Sequence, residues 1–401
     1  MRLLFVSPRY GADVSGGAEV AVREMGQRLR GRGHEVHVLT TCSRSYVEWD
    51  DDYPAGDGTV DGMPVHRFPV DKTPIDSSEP GSGPVMDYRQ RTPWQLPGYP
   101  VPGAARWLQR NSGDFDVVIP YTYQHHTTWD AAMLSRAPVL LHPTAHPEPL
   151  LNASLFDLMF RRVAMVSLHT PEERDLVRWR FGLEDSRLAV PGIGVAPLTA
   201  TEAEVRAFRD SHGLQDLPYV VCVGRTDTAK GAPELVRQFI AMKARRPDDL
   251  RLVVVGEEVA RLPVHPDVIV TGFVPDATRN AAVAGAEVLV QPSTLESFSF
   301  VIAEAWLLGV PVIARGRSAV LSGQVARSGG GLTYEGETDL ETKLHHLLAS
   351  PDLRQSMARA GARYLALHSD WEGFLDRYEH LLGEVAGGRR RAGAPAAPDA
   401  R

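Results

Sequence analysis

The chain has 401 residues, 43% apolar and 23% charged, with a net charge of -7. This is the make-up of a soluble protein with a sizeable core and room for two or three domains, and the acidic balance argues against a general nucleic-acid binder, which carries a basic footprint. Two cysteines, Cys42 and Cys222, are too few for a disulfide scaffold and lack metal-ligand spacing, which fits a reducing cytoplasm.

The opening run RLLFVSP reads as a first strand, too short and too soon ended by Pro8 for a signal peptide. No stretch reaches the roughly 18 apolar residues that a membrane helix needs. SGGAE follows as a loop, EVAVREMGQRLRGRG has apolar positions at helical spacing before a glycine stop, and EVHVLTT is the next strand. Strand, loop, helix and strand make a βαβ unit. From about Asp71 to Gly103 the chain is too rich in Pro and Gly for a regular element, and a loop of that length reads as functional or disordered. DFDVVIPY is a strand, TTWDAAMLSRA a helix and PVLLHP a strand; HTPEERDLVRWRFG starts a helix with Thr170 as cap and Pro171 at its first position. RLAVPGIGVAP, residues 187–197, reads as a hinge.

The second half repeats the pattern through PYVVCVG, APELVRQFIAMKARRP, RLVVVG, VIVTGF, TRNAAVAGA, EVLVQPS, ESFSFVIAEAWLLG and VPVIAR. The predicted fold is therefore α/β, two Rossmann-like domains at residues 1–190 and 191–368 facing each other across a cleft. SDWEGFLDRYEHLLGEV gives a last amphipathic helix over 369–386, and the small, basic residues 387–401 are expected to be a disordered tail.

Ligands of such sheets collect at the carboxyl ends of strands, and four segments sit at predicted strand ends. In SGGAE, Gly16 and Gly17 let backbone N–H groups approach an anion at a helix N-terminus; an ordinary strand–helix turn is the plainer reading. In VGRTDTAKG, Gly224 closes a strand, and Arg225 and Lys230 are placed to converge on a diphosphate, or else are solvated charges on a turn. The segment is neither a Walker A loop nor a GxGxxG fingerprint, which disfavours a nicotinamide dehydrogenase. In VTGFVPD, backbone groups are placed to bind a nucleobase edge while Phe273 and Val274 pack against it. In ESFSFVIAE, Glu296 lies in a loop and Ser297, Phe298, Ser299 and Phe300 lead into a helix with free N–H groups. Glu304 falls inside that helix among Val301, Ile302, Trp306, Leu307 and Leu308, before a stop at Gly309. A charge in such a segment needs a partner. The vicinal hydroxyls of a ribose are one candidate, a core arginine another.

SGGAE, GRTDTAKG and the Glu-seven-residues-Glu stretch leading into AWLLGVPVIA, in this order, strongly resemble the retaining glycosyltransferases of family 4, which have the GT-B fold. The similarity extends from Met1 to about Leu382, through GGGLTYEG and the C-terminal helix, which in this fold crosses back to the N-terminal domain. The resemblance implies a transfer of a hexose-type sugar from a nucleotide-diphosphate sugar, UDP- or GDP-linked, to a hydroxyl acceptor without a metal or other cofactor. It also implies that Gly16 and Gly17 approach the donor phosphate, Arg225 and Lys230 clamp the diphosphate, Glu304 binds the ribose and Glu296 contacts the transferred sugar. TAHPEP resembles the family's histidine-bearing loop, with His146 the candidate, Glu148 close behind and His142 the rival. Ser299 stands where many members have glycine, and the acceptor loop is expected within residues 71–103.

His125 and His126, with His142 and His146, were they a zinc site, would need adjacent histidines to face one ion; lining an acceptor site or lying at a helix start suits them better. An NDP-sugar epimerase, a sugar phosphorylase and a catalytically silent sugar-nucleotide-binding homologue are the alternatives. A cytoplasmic location is expected. Arg23, Arg28 and the RLRGRG helix end have two readings, contact with anionic lipid around a lipid-linked acceptor, or cations that suit a helix C-terminus.

Overall fold

The computed structural model describes residues 1–73 and 96–392. Most of the expected acceptor loop, residues 74–95, and residues 393–401 of the expected tail lie outside the described residues. The chain divides into two compact units, Met1–Gly192 with the stretch from Phe374 onward, and Ile193–Gly373.

Unit 1 runs β1 (Arg2–Val6), α1 (Gly17–Gly31), β2 (Glu35–Thr41), β3 (Gly56–Val60), β4 (Met63–Phe68), α2 (Pro102–Asn111), β5 (Val117–Pro120) and α3 (His126–Leu134). It continues through β6 (Leu140–Leu141), α4 (Leu155–Arg162), β7 (Met165–Ser167), α5 (Pro171–Phe181) and β8 (Leu188–Ala189). The strand order is β3-β4-β2-β1-β5, and parallel bridges Val118–Val139 and Tyr121–His142 carry it on to β6, β7 and β8. Leu3, Leu4, Phe5 and Val6 are all fully buried, as expected for a parallel strand covered on both faces. The β3–β4 hairpin is the antiparallel exception. It carries no predicted element, because GDGTV has almost no apolar alternation, yet Asp61 and Gly62 both take positive φ (50° and 74°), the geometry of a type I′ turn. At α5, the Thr170 hydroxyl caps the Glu173 N–H and Pro171 opens the helix, as read from the sequence.

Unit 2 contains α6 (Glu202–Ser211), β9 (Tyr219–Val223), α7 (Ala232–Arg245), β10 (Arg251–Val255), β11 (Val268–Gly272), α8 (Asp276–Ala284), β12 (Val288–Gln291) and α9 (Phe300–Leu307). β13 (Val312–Arg315), α10 (Ala319–Ser328), β14 (Gly331–Tyr334), α11 (Glu337–Leu348) and α12 (Pro351–His368) complete it. Its sheet is wholly parallel in the order β11-β10-β9-β12-β13-β14. This is the doubly wound order, and the chain reverses direction across the sheet between β9 and β12, so their carboxyl ends frame the crevice where such folds bind ligands. Trp306 on α9 is fully buried and donates from Nε1 to the Gly330 carbonyl at 2.8 Å. A Cβ on Gly330 or Gly361 would lie 2.4 or 2.3 Å from its ring, so only glycine admits the indole there.

The last helix, α13 (Trp371–Ala392), belongs to unit 1 from Phe374 onward, in keeping with a helix that crosses back. It buries Phe374, Leu375, Tyr378, Leu381 and Leu382, and Glu379 pairs with His34 at 2.8 Å and Arg32 at 2.9 Å. It runs past the expected end at 386: residues 387–392, read as disordered tail, are helical. Gly387 and Gly388 each lower helix propensity by about 1 kcal/mol but remove no backbone donor, so they weaken the helix without stopping it. Among the described residues no helix is long and apolar enough to cross a membrane.

Candidate active site

In unit 2 the carboxyl end of β9 opens into Gly224, whose φ of 139° turns the chain sharply. Arg225 follows with its side chain about half exposed, 3.1 Å from Asp227, and Asp227 Oδ1 also accepts from the Lys230 N–H at 2.8 Å. Gly231 then caps α7 at φ 77°, and a Cβ there would meet the Pro292 carbonyl at 2.6 Å. That close approach brings the loop after β9 against the loop after β12. Lys230 Nζ lies 2.8 Å from Glu296 Oε1, the lysine one-third exposed and the carboxylate nearly buried. The two residues, far apart in sequence, thus form one ion pair at the reversal point of the sheet.

The rest of ESFSF is held from below. The Phe298 carbonyl accepts from Gln324, and Phe298 meets Phe300 edge to face at 5.1 Å. Ser299 is the N-cap of α9 in a left-handed conformation (φ 68°), and Gln291 donates to its hydroxyl at 3.3 Å. Ser297 is half-buried beside Glu296. Phe273 is exposed after β11, with Val274 half-buried next to it.

Glu304 sits on α9 between buried Ala303 and Ala305, its side chain one-fifth exposed. Of the two partners foreseen for such a carboxylate, the arginine is present: Arg279 of α8 reaches Glu304 Oε1 at 3.5 Å. Burial raises the Glu304 carboxyl above its usual range, and Arg279 opposes that rise. Arg279 was not among the candidate residues.

In unit 1, Gly16 caps α1 and Gly17 begins it, but the nearest charge is the protein's own. A Cβ on Gly16 would sit 2.2 Å from Glu19 Oε2. Glu19 is buried, takes two hydrogen bonds from Arg9 at 2.7 and 3.0 Å, and accepts from the Tyr46 hydroxyl. Arg9 lies 3.6 Å over the Tyr46 ring, and His125 stacks on Tyr46 with centroids 4.9 Å apart. His125 is therefore a layer in a packed stack, and burial pushes it down to about 3, a neutral ring at any ordinary pH. His126 begins α3, half-buried.

The rival histidines differ sharply. His142 is fully buried, stacked on Tyr121 and 2.9 Å from the Tyr378 hydroxyl, so it presents no surface to a ligand in this form. His146 is one-fifth exposed, with Nδ1 3.2 Å from Glu148 Oε1, and Glu148 accepts from the Tyr123 hydroxyl at 2.7 Å. The loop between them turns through Thr144 at φ 49° and is tied down by Glu173, whose two oxygens accept from the Ala145 and His169 N–H groups, both at 2.7 Å. Arg9, Tyr46 and Glu173 gave no motif in the sequence, and Glu19, the last residue of SGGAE, had no role assigned; their parts emerge only from packing. Among the described residues no group of three or more His, Cys, Asp or Glu is placed to hold a metal ion.

Residues 16–194 match the family model described as "Glycosyl transferase 4-like domain", and residues 217–350 match "Glycosyl transferases group 1". The chain belongs to the family 4 glycosyltransferases. This glycosyltransferase is 27% identical over 387 residues to D-inositol 3-phosphate glycosyltransferase of Pseudarthrobacter chlorophenolicus, covering 90% of this chain and 88% of the relative. It is also 27% identical to a GDP-mannose-dependent alpha-mannosyltransferase of Mycolicibacterium smegmatis, covering 78% of this chain and 79% of that one. Among solved structures, HepE of Anabaena in complex with UDP and glucose superposes with a TM-score of 0.71 at 16% identity, over 96% of this chain and 100% of that one. That likeness shows the GT-B fold of the glycosyltransferase.

Proposed function

We propose that this glycosyltransferase moves a hexose-type sugar from a UDP- or GDP-linked donor to a hydroxyl acceptor, with retention of configuration and without a metal ion. The reading rests chiefly on the 2.8 Å pair between Lys230 and Glu296 at the reversal point of the unit 2 sheet, with Arg225 exposed beside it. A lysine held by a carboxylate is positioned but not spent. When a diphosphate arrives, its oxygens take up the lysine and Arg225, and Glu296 is released to accept from the sugar hydroxyls. As the glycosidic bond breaks, negative charge gathers on the departing diphosphate, and fixed cations at that place lower the barrier without reorganising. Glu304 holds the ribose, the exposed Phe273 packs on the base with Val274, and Gly224 and the N–H groups of Ser297, Phe298, Ser299 and Phe300 line the donor seat. In unit 1, Gly16 and Gly17 at the start of α1 and His146, oriented by Glu148, are the residues this reading reserves for the donor phosphate and sugar. The similarity to a GDP-mannose-dependent enzyme and to a protein crystallised with UDP supports both nucleotides as candidates. A lipid-linked acceptor, and with it peripheral membrane contact, belongs to the same reading.

The test is thermal stabilisation by a panel of nucleoside diphosphates and nucleotide sugars for the wild type, Lys230→Ala and Glu304→Ala. A shift of several degrees for one base, lost in both variants, is the expected result; no shift with any of them would overturn the donor site. Turnover in excess chelator, with the product's anomeric configuration read by NMR, tests metal independence and retention. Epimerisation of the donor with no acceptor present would overturn the transfer itself.

A further inference from the structure

We infer that Arg279 is a positioning residue that keeps Glu304 a two-oxygen acceptor for the nucleotide's ribose, and so makes donor binding insensitive to pH. This rests on the reading of Glu304 as the ribose ligand.

Glu304 stands on a helix whose neighbouring residues Ile302, Ala303, Ala305 and Trp306 are all fully buried. A carboxylate so placed is short of water, and burial alone favours its neutral form. The neutral form serves a ribose poorly. It presents one donor and reduced acceptor capacity, whereas two vicinal hydroxyls each need an acceptor. Something must therefore hold the charge while the site is empty. The charged groups acting on Glu304 are Arg279, which favours ionisation, and Asp276, which opposes it, both from α8; among the described residues β12, β13 and α12, the other elements packed on α9, add none to that set.

The geometry suits a counter-ion that need not be displaced. Arg279 Nη2 lies 3.5 Å from Glu304 Oε1, longer than the 2.7–2.9 Å typical of a tight charge-assisted bond, while Nη1 is 3.1 Å from Asp276. Asp276 is mostly exposed and anchors the guanidinium from the solvent side. Arg279 Nε is buried with no hydrogen-bond partner. The guanidinium thus faces Glu304 without saturating it, leaving lone pairs for a diol and one donor in reserve.

The experiment measures the Kd of UDP and GDP from pH 5.5 to 8.5 for the wild type, Arg279→Leu, Arg279→Lys and Glu304→Gln, each expressed relative to wild type so that ionisation of the ligand's own phosphate cancels. Arg279→Leu should bind more weakly towards low pH, approaching roughly tenfold per pH unit below the Glu304 ionisation, and recover at high pH. Arg279→Lys should restore a flat profile, and Glu304→Gln should be weak at every pH. A loss in Arg279→Leu that is constant with pH, or no loss at all, would overturn the inference while leaving the ribose reading intact. Wild-type affinity in Glu304→Gln would overturn the ribose reading itself.

Discussion

Glu173 is a carboxyl with no exposed side-chain surface, clasped by two backbone N–H groups and, among the described residues, without a Lys or Arg partner. His169, 4.0 Å away, offers no positive charge, because burial pushes it down to about 4, and it pushes His142 further below the usual range. Burial drives Glu173 up to about 8 against an ordinary 4.5. The folded protein then holds a proton that the unfolded chain releases near pH 4.5, so the stability linked to Glu173 is greatest at low pH and falls as pH rises towards 8. At about 1.4 kcal/mol per unit the whole span comes to about 5 kcal/mol. Glu173→Gln has no such slope, but its amide N–H₂ faces one of the two backbone donors, which costs about 1–3 kcal/mol. The variant should be the less stable protein at pH 5 and the more stable at pH 8.5, with the curves crossing between. Thermal unfolding of both proteins across that range reads this directly, at roughly 2–4 °C per kcal/mol for a unit of this size. A difference that stays constant with pH would refute the reasoning, and would mean that the two N–H groups keep Glu173 ionised throughout.

Gly231→Ala combines a strained φ with a clash against the Pro292 carbonyl; it should separate Lys230 from Glu296 and weaken nucleotide diphosphate binding by more than about tenfold, as read by calorimetry. Gly361→Ala drives a methyl into Trp306 and should cost about 1–3 kcal/mol in denaturant unfolding. Tyr378→Phe leaves buried His142 Nε2 unpaired and should lower stability by about 1–3 kcal/mol, whereas a chain ending at Asp370 loses Phe374, Leu375 and Leu382 as well and should fail to give a folded unit 1 by circular dichroism and proteolysis.

Much of the fold was legible because its signals are local. Thr170 before Pro171, Gly309 after a buried helix, and apolar runs alternating with helical spacing each declare an element within a few residues. The hairpin at 56–68 declares itself only through its Asp61-Gly62 turn, since its first strand buries almost nothing and so has no apolar alternation to read. At the site, Arg225, Lys230, Glu296 and Glu304 stand in recognisable segments, while their mutual placement depends on which strands are neighbours. Arg279 could not be seen for the same reason: it meets Glu304 only because α8 lies beside α9 in space. The histidines show the converse. Four imidazoles look alike in sequence, yet packing makes His125 and His142 core residues and leaves His146 partly exposed.

Ser299 spends its folded life in a backbone conformation that costs a side chain about 1–2 kcal/mol and costs glycine nothing. Its hydroxyl gains the contact from Gln291 in return. The two positions therefore form a linked pair in mutational space. A change of Gln291 to an apolar residue removes the reason to keep serine, after which Ser299→Gly becomes a gain; a β-branched residue at 299 is closed off from either starting point. The loop that leads into α9 is in this way free to exchange one small residue for another and barred from growing.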